Sequence, residues 1–146
     1  MKKTVIANFG GATQGKSGTI KKIIKLILNK YPDALTNPLK ISYHGDVKVI
    51  IQIDNIKIGI ESQGDPNSRI FKSLKEFASI DCDLIICATR TAGATVNAVR
   101  SLRKSHNYDI VWVTNYRSAN KDIEALNELS ANHILELVER LINNSI

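Results

Sequence analysis

The chain has 146 residues, a length typical of a single domain, and we interpret residues 1–146 as one domain. Hydrophobic residues make up 43% and charged residues 23%, which excludes an intrinsically disordered chain and a collagen-like one. The formal net charge is +6, and residues 1–73 hold twelve Lys and Arg against five Asp and Glu. A phosphate-bearing small ligand explains this basic half as well as a nucleic acid does.

The first predicted elements are a strand, a glycine-rich turn and a helix. Residues 4–9 form a short β-branched run that ends at Gly10 and Gly11, which predicts a buried strand. From Lys16 onward, isoleucine and leucine recur at the i, i+3, i+4, i+7 spacing of one helical face, and Pro32 ends the pattern. Residues 33–40 lack strong periodicity and predict an exposed connection.

Residues 47–53 and 56–61 predict a β-hairpin. They flank Asp54 and Asn55, a pair of residue types that tolerates the positive φ of a two-residue turn. Pairing across that turn puts both apolar sets on one face, which makes the register specific. The expected pairs are Ile53 with Ile56, Ile51 with Ile58, and Val49 with Ile60.

Beyond the hairpin, helices and strands alternate. Asn67 or Ser68 is expected to cap a helix that runs through Ala78. Further apolar patterns predict a strand at 83–89, a helix at 93–104, a strand at 109–114, and, over 121–143, one long helix or two broken near 130–132. The sequence therefore predicts an α/β fold of three layers, with a mostly parallel sheet, one antiparallel hairpin strand and helices on both faces.

Cysteine usage and hydropathy predict a cytoplasmic protein. Cys82 and Cys87 lie five positions apart in an apolar run, and odd spacing on a strand places side chains on opposite faces, so we expect no disulfide between them. Their spacing is not that of zinc ligands. The apolar stretch after Met1 is too short for a signal peptide, and no run reaches the ~18 apolar residues of a membrane span.

Residues 10–17, GGATQGKS, match the pattern G-x-x-x-x-G-K-[ST] without a mismatch. Glycines let backbone N–H groups point into one concavity, and the helix that follows adds its N-terminal N–H groups and positive dipole end. Lys16 is expected to reach the β- and γ-phosphates, and Ser17 to coordinate a Mg²⁺ that the phosphates also bind. The predicted nucleotide-contacting residues here are Gly10, Gly11, Ala12, Thr13, Gln14, Gly15, Lys16, Ser17 and Gly18. Gly18 falls inside the helix, where we expect close packing against the strand.

With this motif and its α/β order, the sequence resembles the P-loop NTPase superfamily. The hairpin and strand order are similar to those of small GTPases, which carry Asp-x-x-Gly where this chain has residues 61–64, ESQG. The resemblance implies that Glu61 helps hold Mg²⁺ and that the Gly64 N–H contacts the γ-phosphate. GTPases read guanine with Asn-Lys-x-Asp, but residues 114–118 here are TNYRS, without that Lys and Asp. ATP is therefore the expected nucleotide, with Asn115 and Tyr116 near the base and Tyr116 or Arg117 stacking on it.

Carboxylates and arginines near the predicted strand ends complete the candidate site. Glu61 has a second interpretation, a cross-strand ion pair with Lys48. Asp65 is a further acidic candidate that equally suits a turn and a helix cap. An arginine after a strand end can stabilise charge on a transferred phosphoryl group, and Arg90 is better placed for this than Arg69 or Arg117. The predicted catalytic residues are Lys16, Glu61, Asp65 and Arg90, and the predicted metal ligands are Ser17 and Glu61.

Three classes of function remain open from the sequence. The first is a Mg-dependent enzyme that hydrolyses ATP or transfers its phosphoryl group to a small acceptor; short connections at 62–67, 89–93 and 114–120 favour hydrolysis. The second is a nucleotide-dependent switch in which loops 33–46 and 62–69 contact a protein partner. The third, a nucleic-acid-binding module, is less favoured. We expect no membrane association, and the oligomeric state stays open.

Overall fold

A computed structural model describes residues 1–11 and 15–146. The predicted phosphate contacts at Ala12, Thr13 and Gln14 lie outside these described residues. The described part contains six strands and four helices, in the order β1 (Thr4–Phe9), α1 (Lys16–Lys30), β2 (Leu35–Asn37), β3 (Lys48–Ile53), β4 (Ile56–Glu61), α2 (Ile70–Ser79), β5 (Leu84–Thr89), α3 (Ala94–His106), β6 (Asp109–Val113) and α4 (Ile123–Ile142).

The six strands form one sheet in the order β2-β3-β4-β5-β1-β6. Strand β1 pairs in parallel with β5 and β6, and β4 pairs in parallel with β5. Among the described strands β3 alone runs the other way, antiparallel to both β2 and β4. This confirms the predicted α/β class and the mostly parallel sheet with one antiparallel hairpin strand. It also brings the carboxyl ends of β1, β4, β5 and β6 to one edge, with β5 between β4 and β1.

The hairpin has the predicted register, with Ile53 opposite Ile56, Ile51 opposite Ile58 and Val49 opposite Ile60. Asp54 takes a positive φ of 51° in the turn. Because side chains alternate along a strand, the apolar set of this hairpin faces α1, and the other residues of β4 face α2. Gly59 is one of the latter, and a Cβ there would lie 2.5 Å from Cγ of Phe77.

Helices cover both faces of the sheet. Buried isoleucines of α1 and apolar residues of α4 pack on one face, and α2 and α3 pack on the other. The α1 face carries residues such as Ile6, Ile60 and Ile86, and the α2–α3 face carries Val5, Ala7 and Ile85. Burial of apolar surface stabilises a fold by about 25 cal/mol per Å². Both helix layers therefore stabilise the sheet whose edge carries the candidate site.

Several boundaries differ from the sequence predictions. Residues 35–37, predicted as part of an exposed connection, form the short edge strand β2; the pattern missed it because an edge strand of three residues carries no periodicity. Helix α2 begins at Ile70 with Arg69 at the N-cap and no side-chain cap bond, so neither Asn67 nor Ser68 is the cap. Residues 123–142 form one continuous helix, which settles the alternative that the sequence left open.

The cysteines are free and buried, but both lie in the core between the sheet and α2–α3. The expectation of opposite faces was wrong because Cys82 precedes β5, where strand alternation does not apply. Burial raises the pKa of each thiol to about 12, so these thiols stay protonated and unreactive at neutral pH. No helix within residues 1–11 and 15–146 has both the length and the apolar character that a membrane span requires.

Candidate functional site

A cavity of about 180 Å³ lies at the edge where the parallel strands end. Open α/β sheets bind ligands at this edge, outside the carboxyl ends of the strands. Three segments of the chain form the cavity, and all three follow or precede strand ends: residues 15–18 at the start of α1, Asp46 before β3, and residues 62–65 after β4, with Ala88 of β5 as the floor. The topology therefore places the motif residues and the segment after Glu61 around one space.

The ammonium group of Lys16 bonds to the backbone just beyond the end of β1. Its Nζ donates hydrogen bonds to the carbonyl oxygens of Gly10 at 2.6 Å and Gly11 at 2.8 Å, and the residue is only 8% exposed. Burial lowers the pKa of Lys16, the positive charge of Arg90 lowers it further, and Asp65 opposes the shift. A partly desolvated cation bonded to neutral carbonyls gains by meeting an anion.

Gly15 and Gly18 allow α1 to approach α4. Gly15 precedes the first residue of α1 with φ of +77°, and a Cβ there would lie 2.6 Å from Oδ1 of Asn127. Both the left-handed backbone and the contact require glycine at this position. A Cβ on Gly18 would lie 3.1 Å from Nδ2 of the same Asn127. The close packing expected for Gly18 is therefore against α4 and not against a strand.

Three oxygen-bearing side chains meet beside the start of α1. The Ser17 hydroxyl donates to Oδ1 of Asp46 at 3.1 Å, and the Ser62 hydroxyl donates to the same oxygen at 3.0 Å. The backbone N–H of Val47 donates to Oγ of Ser62 at 2.7 Å, which fixes the position of that hydroxyl. Carboxylate and hydroxyl oxygens are the ligands that Mg²⁺ prefers.

Sequence reasoning missed Asp46. A signal was available, because the predicted hairpin makes β3 antiparallel to β4. The strand β3 must then begin at the edge where β4 ends, so the residue just before β3 lies at the ligand edge. The rule that ligands bind after parallel strands does not include Asp46, because Asp46 precedes β3, which among the described strands runs the other way.

Glu61 is fully buried but points away from Ser17, because it shares the face of β4 that packs on α2. Its Oε1 accepts from Nε of Arg69 at 2.6 Å and from the Ser73 hydroxyl at 2.7 Å. Its Oε2 accepts from a second guanidinium nitrogen of Arg69 at 3.1 Å and from the Gln63 N–H at 3.2 Å. These bonds occupy the carboxylate, so the structure does not bring Glu61 to the predicted metal position.

The alternative interpretation of Glu61, an ion pair with Lys48, is wrong although the register is as predicted. Lys48 does stand opposite Glu61, but its ammonium bonds to Glu76 on α2. Arg69 binds the Glu61 carboxylate in place of Lys48, because a guanidinium donates two hydrogen bonds to a carboxylate in a fixed geometry. The hydrogen bond to Glu61 also raises the pKa of Arg69.

Gly64 and Asp65 line the cavity, and Arg90 forms an ion pair with Asp65. A Cβ on Gly64 would lie 2.6 Å from the carbonyl oxygen of Ala88, so this glycine lets the loop lie directly on the end of β5. Asp65 Oδ1 accepts from Nε of Arg90 at 3.2 Å and from a second guanidinium nitrogen at 2.9 Å. The backbone N–H of Arg90 donates to the Thr95 hydroxyl, which connects this ion pair to the start of α3.

Asn115, predicted to contact a base, is instead 4% exposed. Its Oδ1 accepts from Nδ2 of Asn8 at 2.8 Å, and its Nδ2 donates to the Thr19 hydroxyl at 2.8 Å. It thus ties the end of β1 to α1 beneath the glycine-rich turn. Tyr116 is 50% exposed and stacks on His133 of α4 with 6.3 Å between ring centroids. Arg117, the other residue proposed to stack on a base, is exposed.

No group of three or more His, Cys, Asp or Glu side chains within the described part of the chain is arranged to hold a metal ion. Mg²⁺ does not need such a cage, since it is commonly held by one or two protein oxygens together with substrate phosphates and water. Ser17 and Asp46 fit that mode in their chemistry and in their proximity. The residues present therefore fit a magnesium ion shared with a phosphate ligand.

Together, the fold and the site define an α/β protein whose cavity at the carboxyl edge of a mostly parallel sheet combines a buried lysine, two carboxylates and two serine hydroxyls. Comparison of the chain with protein-family models, with curated proteins and with solved structures finds no match.

Proposed function

We propose that the protein binds a nucleoside triphosphate with Mg²⁺, and that ATP is the preferred nucleotide. The observation that supports this most directly is the position of Lys16: the residue is 8% exposed, its ammonium bonds to carbonyls within the GGATQGKS segment, and it lines the cavity that Ser17 and Asp46 also line. The sequence pattern alone does not specify that a carboxylate stands beside the motif serine, and the structure has one there.

In this proposal the triphosphate occupies the cavity at the N-terminus of α1. The free N–H groups and positive dipole end of that helix attract the phosphates, and Lys16 exchanges its carbonyl partners for phosphate oxygens. Ser17 and Asp46 hold the Mg²⁺, which neutralises phosphate charge when it is bound. Gly64 lines the same cavity, and in this proposal its backbone N–H contacts the γ-phosphate, as the resemblance to small GTPases implies.

We further propose that loop 62–69 responds to the nucleotide. Two ion pairs hold this loop, Glu61 with Arg69 near its ends and Asp65 with Arg90 at its middle. The Glu61–Arg69 pair is shielded from water because the Glu61 carboxylate is buried. In the Asp65–Arg90 pair, by contrast, the Asp65 side chain is 70% exposed. A γ-phosphate in the cavity competes with Asp65 for Arg90. The Asp65–Arg90 pair is therefore the one that opens when the nucleotide binds. Slow hydrolysis of the nucleotide then restores the Asp65–Arg90 ion pair. The protein would thus act as a nucleotide-dependent switch.

The preference for ATP rests on the residues after β6. They lack the Asn-Lys-x-Asp pattern of guanine recognition, and Asn115 is committed to the contacts beneath the glycine-rich turn. Tyr116 offers a half-exposed ring for stacking on a base, an interaction that does not require a guanine-specific hydrogen bond.

Isothermal titration of ATP and GTP, with and without Mg²⁺, tests this proposal. Lys16→Ala is expected to weaken ATP binding by about 10- to 100-fold, since a hydrogen bond from a charged group contributes about 1.5–3 kcal/mol. Lys21→Ala, on the same helix but outside the cavity, is the matched control and is expected to bind as wild type. Unchanged ATP affinity in Lys16→Ala would contradict the proposal.

A single-turnover assay for released phosphate then separates hydrolysis from transfer. Release without an acceptor supports the hydrolytic switch, and release or transfer only when a small hydroxyl acceptor is present supports a kinase. Titration with an oligonucleotide at two salt concentrations covers the nucleic-acid alternative, which predicts tight binding with a steep salt dependence.

A further inference from the structure

A second cavity, of about 190 Å³, lies on the face of the sheet that α2 and α3 cover, opposite the face covered by α1. Its lining residues come from the end of β1, the segment before α3, α3 itself and β6: Phe9, Thr91, Val96, Arg100 and Trp112. None of them lines the cavity around Lys16, so this is a separate pocket. We propose that this pocket, here called the Trp112 pocket, binds a small planar ring that carries an anionic group, such as an aromatic carboxylate or an aryl phosphate.

The walls of the Trp112 pocket are apolar and aromatic. The rings of Phe9 and Trp112 contact each other edge to face, with centroids 6.2 Å apart and an interplanar angle of 79°. Both residues remain partly exposed, although the chain contains only three Phe and one Trp. Val96, which is 5% exposed, completes the apolar surface. Pockets with aromatic walls and few polar groups are typical of small-molecule sites, and planar rings pack well against such walls.

Arg100 supplies the charge. Its guanidinium carbon lies 5.8 Å from the centroid of the Trp112 ring, and within the described ranges no carboxylate forms an ion pair with it. The ring of Trp112 is therefore the contact that orients this cation at the pocket. A guanidinium without an anionic partner favours a carboxylate or phosphate, which it can bind with two hydrogen bonds. Thr91, also in the lining, adds a hydroxyl that can donate to the same group.

The size of the pocket limits the ligand. At about 190 Å³ the cavity is smaller than the ~300–1,000 Å³ of sites for drug-sized ligands, so it suits one ring with a short substituent. A neutral ring forgoes the interaction with Arg100, and a cationic ring is repelled by it. The proposed class is therefore single-ring aromatic anions. The inference uses no residue of the proposed nucleotide site.

Trp112 is the one tryptophan of the chain, so its fluorescence and its indole N–H signal in NMR report directly on this pocket. The probes are 4-hydroxybenzoate and phenyl phosphate, with 4-hydroxybenzyl alcohol and benzylamine as neutral and cationic comparisons. Both anions are expected to give a saturable change with a Kd on the order of 1 mM or below, a range reasonable for ligands of about ten heavy atoms. The neutral and cationic rings are expected to bind at least about tenfold more weakly.

Arg100→Met is expected to weaken binding of the anions by about tenfold or more, and Arg100→Lys to restore part of it. Arg103→Met is the matched control, because Arg103 is exposed on the same helix and does not line the pocket. If only phenyl phosphate binds, the ligand class narrows to aryl phosphates, and if only the benzoate binds, it narrows to aromatic carboxylates. The proposal is overturned if neither anion shifts the Trp112 signals, if the neutral ring binds equally well, or if Arg100→Met and Arg103→Met bind alike.

The same titration in Lys16→Ala separates this inference from the proposed nucleotide function. Anion binding to the Trp112 pocket is expected to be unchanged in that variant. In the wild-type protein, failure to bind ATP together with binding of the aromatic anion would refute the nucleotide proposal alone, and ATP binding without binding of the aromatic anion would refute the Trp112 pocket alone.

Discussion

The hydroxyl of Ser17, at the start of α1, donates a 3.1 Å hydrogen bond to Oδ1 of Asp46, which lies 29 residues later, two residues before β3. These two residues belong to different segments of the sheet edge, and only the antiparallel direction of β3 brings them together. If they hold Mg²⁺ as proposed, the carboxylate contributes charge that the serine alone cannot provide.

We therefore predict that Asp46→Asn weakens Mg-dependent ATP binding by about tenfold or more, because a carboxylate is a much stronger Mg²⁺ ligand than a neutral amide. Binding measured in EDTA is expected to change little or to improve, since a negative charge near the phosphates is lost. Isothermal titration with and without Mg²⁺ checks this. Asp33→Asn, an exposed carboxylate outside the cavity, is the control. Equal losses with and without Mg²⁺ would argue against a metal role for Asp46.

The pair of Glu61 and Arg69 leads to a prediction about stability. Among the described residues, Arg69→Met leaves the fully buried Glu61 carboxylate with the Ser73 hydroxyl and one backbone N–H as donors. Removing one partner of a buried ion pair costs about 3 kcal/mol of unfolding free energy. Arg140→Met, which breaks the exposed pair with Glu136, is expected to cost less than about 0.5 kcal/mol. Urea unfolding monitored by circular dichroism compares the two, and similar losses would show that burial of Glu61 contributes little.

Gly64→Ala tests the close approach of loop 62–69 to β5. The added Cβ would lie 2.6 Å from the carbonyl oxygen of Ala88, and both atoms belong to or adjoin backbone that cannot move freely. We expect a loss of about 1–3 kcal/mol in unfolding free energy, typical of overpacking, together with weaker ATP binding. Gly45→Ala adds a methyl where no atom lies within 4 Å but φ is +78°, so it measures the backbone conformation cost alone, about 1 kcal/mol. That variant is expected to keep its ATP affinity; a neutral effect of Gly64→Ala would contradict the steric argument.

The lowered pKa of Lys16 predicts a pH dependence of nucleotide binding. The charged ammonium binds phosphate, and a lowered pKa means that this charge is lost at a lower pH than for an exposed lysine. ATP affinity is therefore expected to fall as the pH rises toward the ~10.4 at which an ordinary lysine titrates, and to fall at a lower pH than an exposed lysine would cause. Bound phosphate favours the charged form, so binding in this range takes up protons. Titrations in buffers of different ionisation enthalpy detect that uptake, and an affinity independent of pH over this range would contradict the prediction.

Periodicity and turn chemistry were enough to predict most of the fold. The strands at 4–9 and 56–61, the helix from Lys16 and the hairpin register were confirmed, because long apolar patterns and an alternating hairpin leave one arrangement that buries both faces. The short strand β2 and the cap of α2 were not predicted correctly, since three residues carry no pattern and Arg69 is not a usual capping residue. The predicted nucleotide, magnesium and catalytic roles stay predictions.

The sequence by itself determined the strand, glycine-rich turn and helix that hold Lys16 and Ser17, because these features depend on neighbours within one short segment. The tertiary structure decided which carboxylate accompanies them. Glu61 ends the expected strand, yet its side chain lies on the α2 face and is bonded to Arg69. Asp46 reaches Ser17 because β3 runs against its neighbours and starts at the shared edge. The face of a strand on which a side chain lies, and the partner that reaches it first, depend on how the sheet and helices pack, and a linear pattern does not record that.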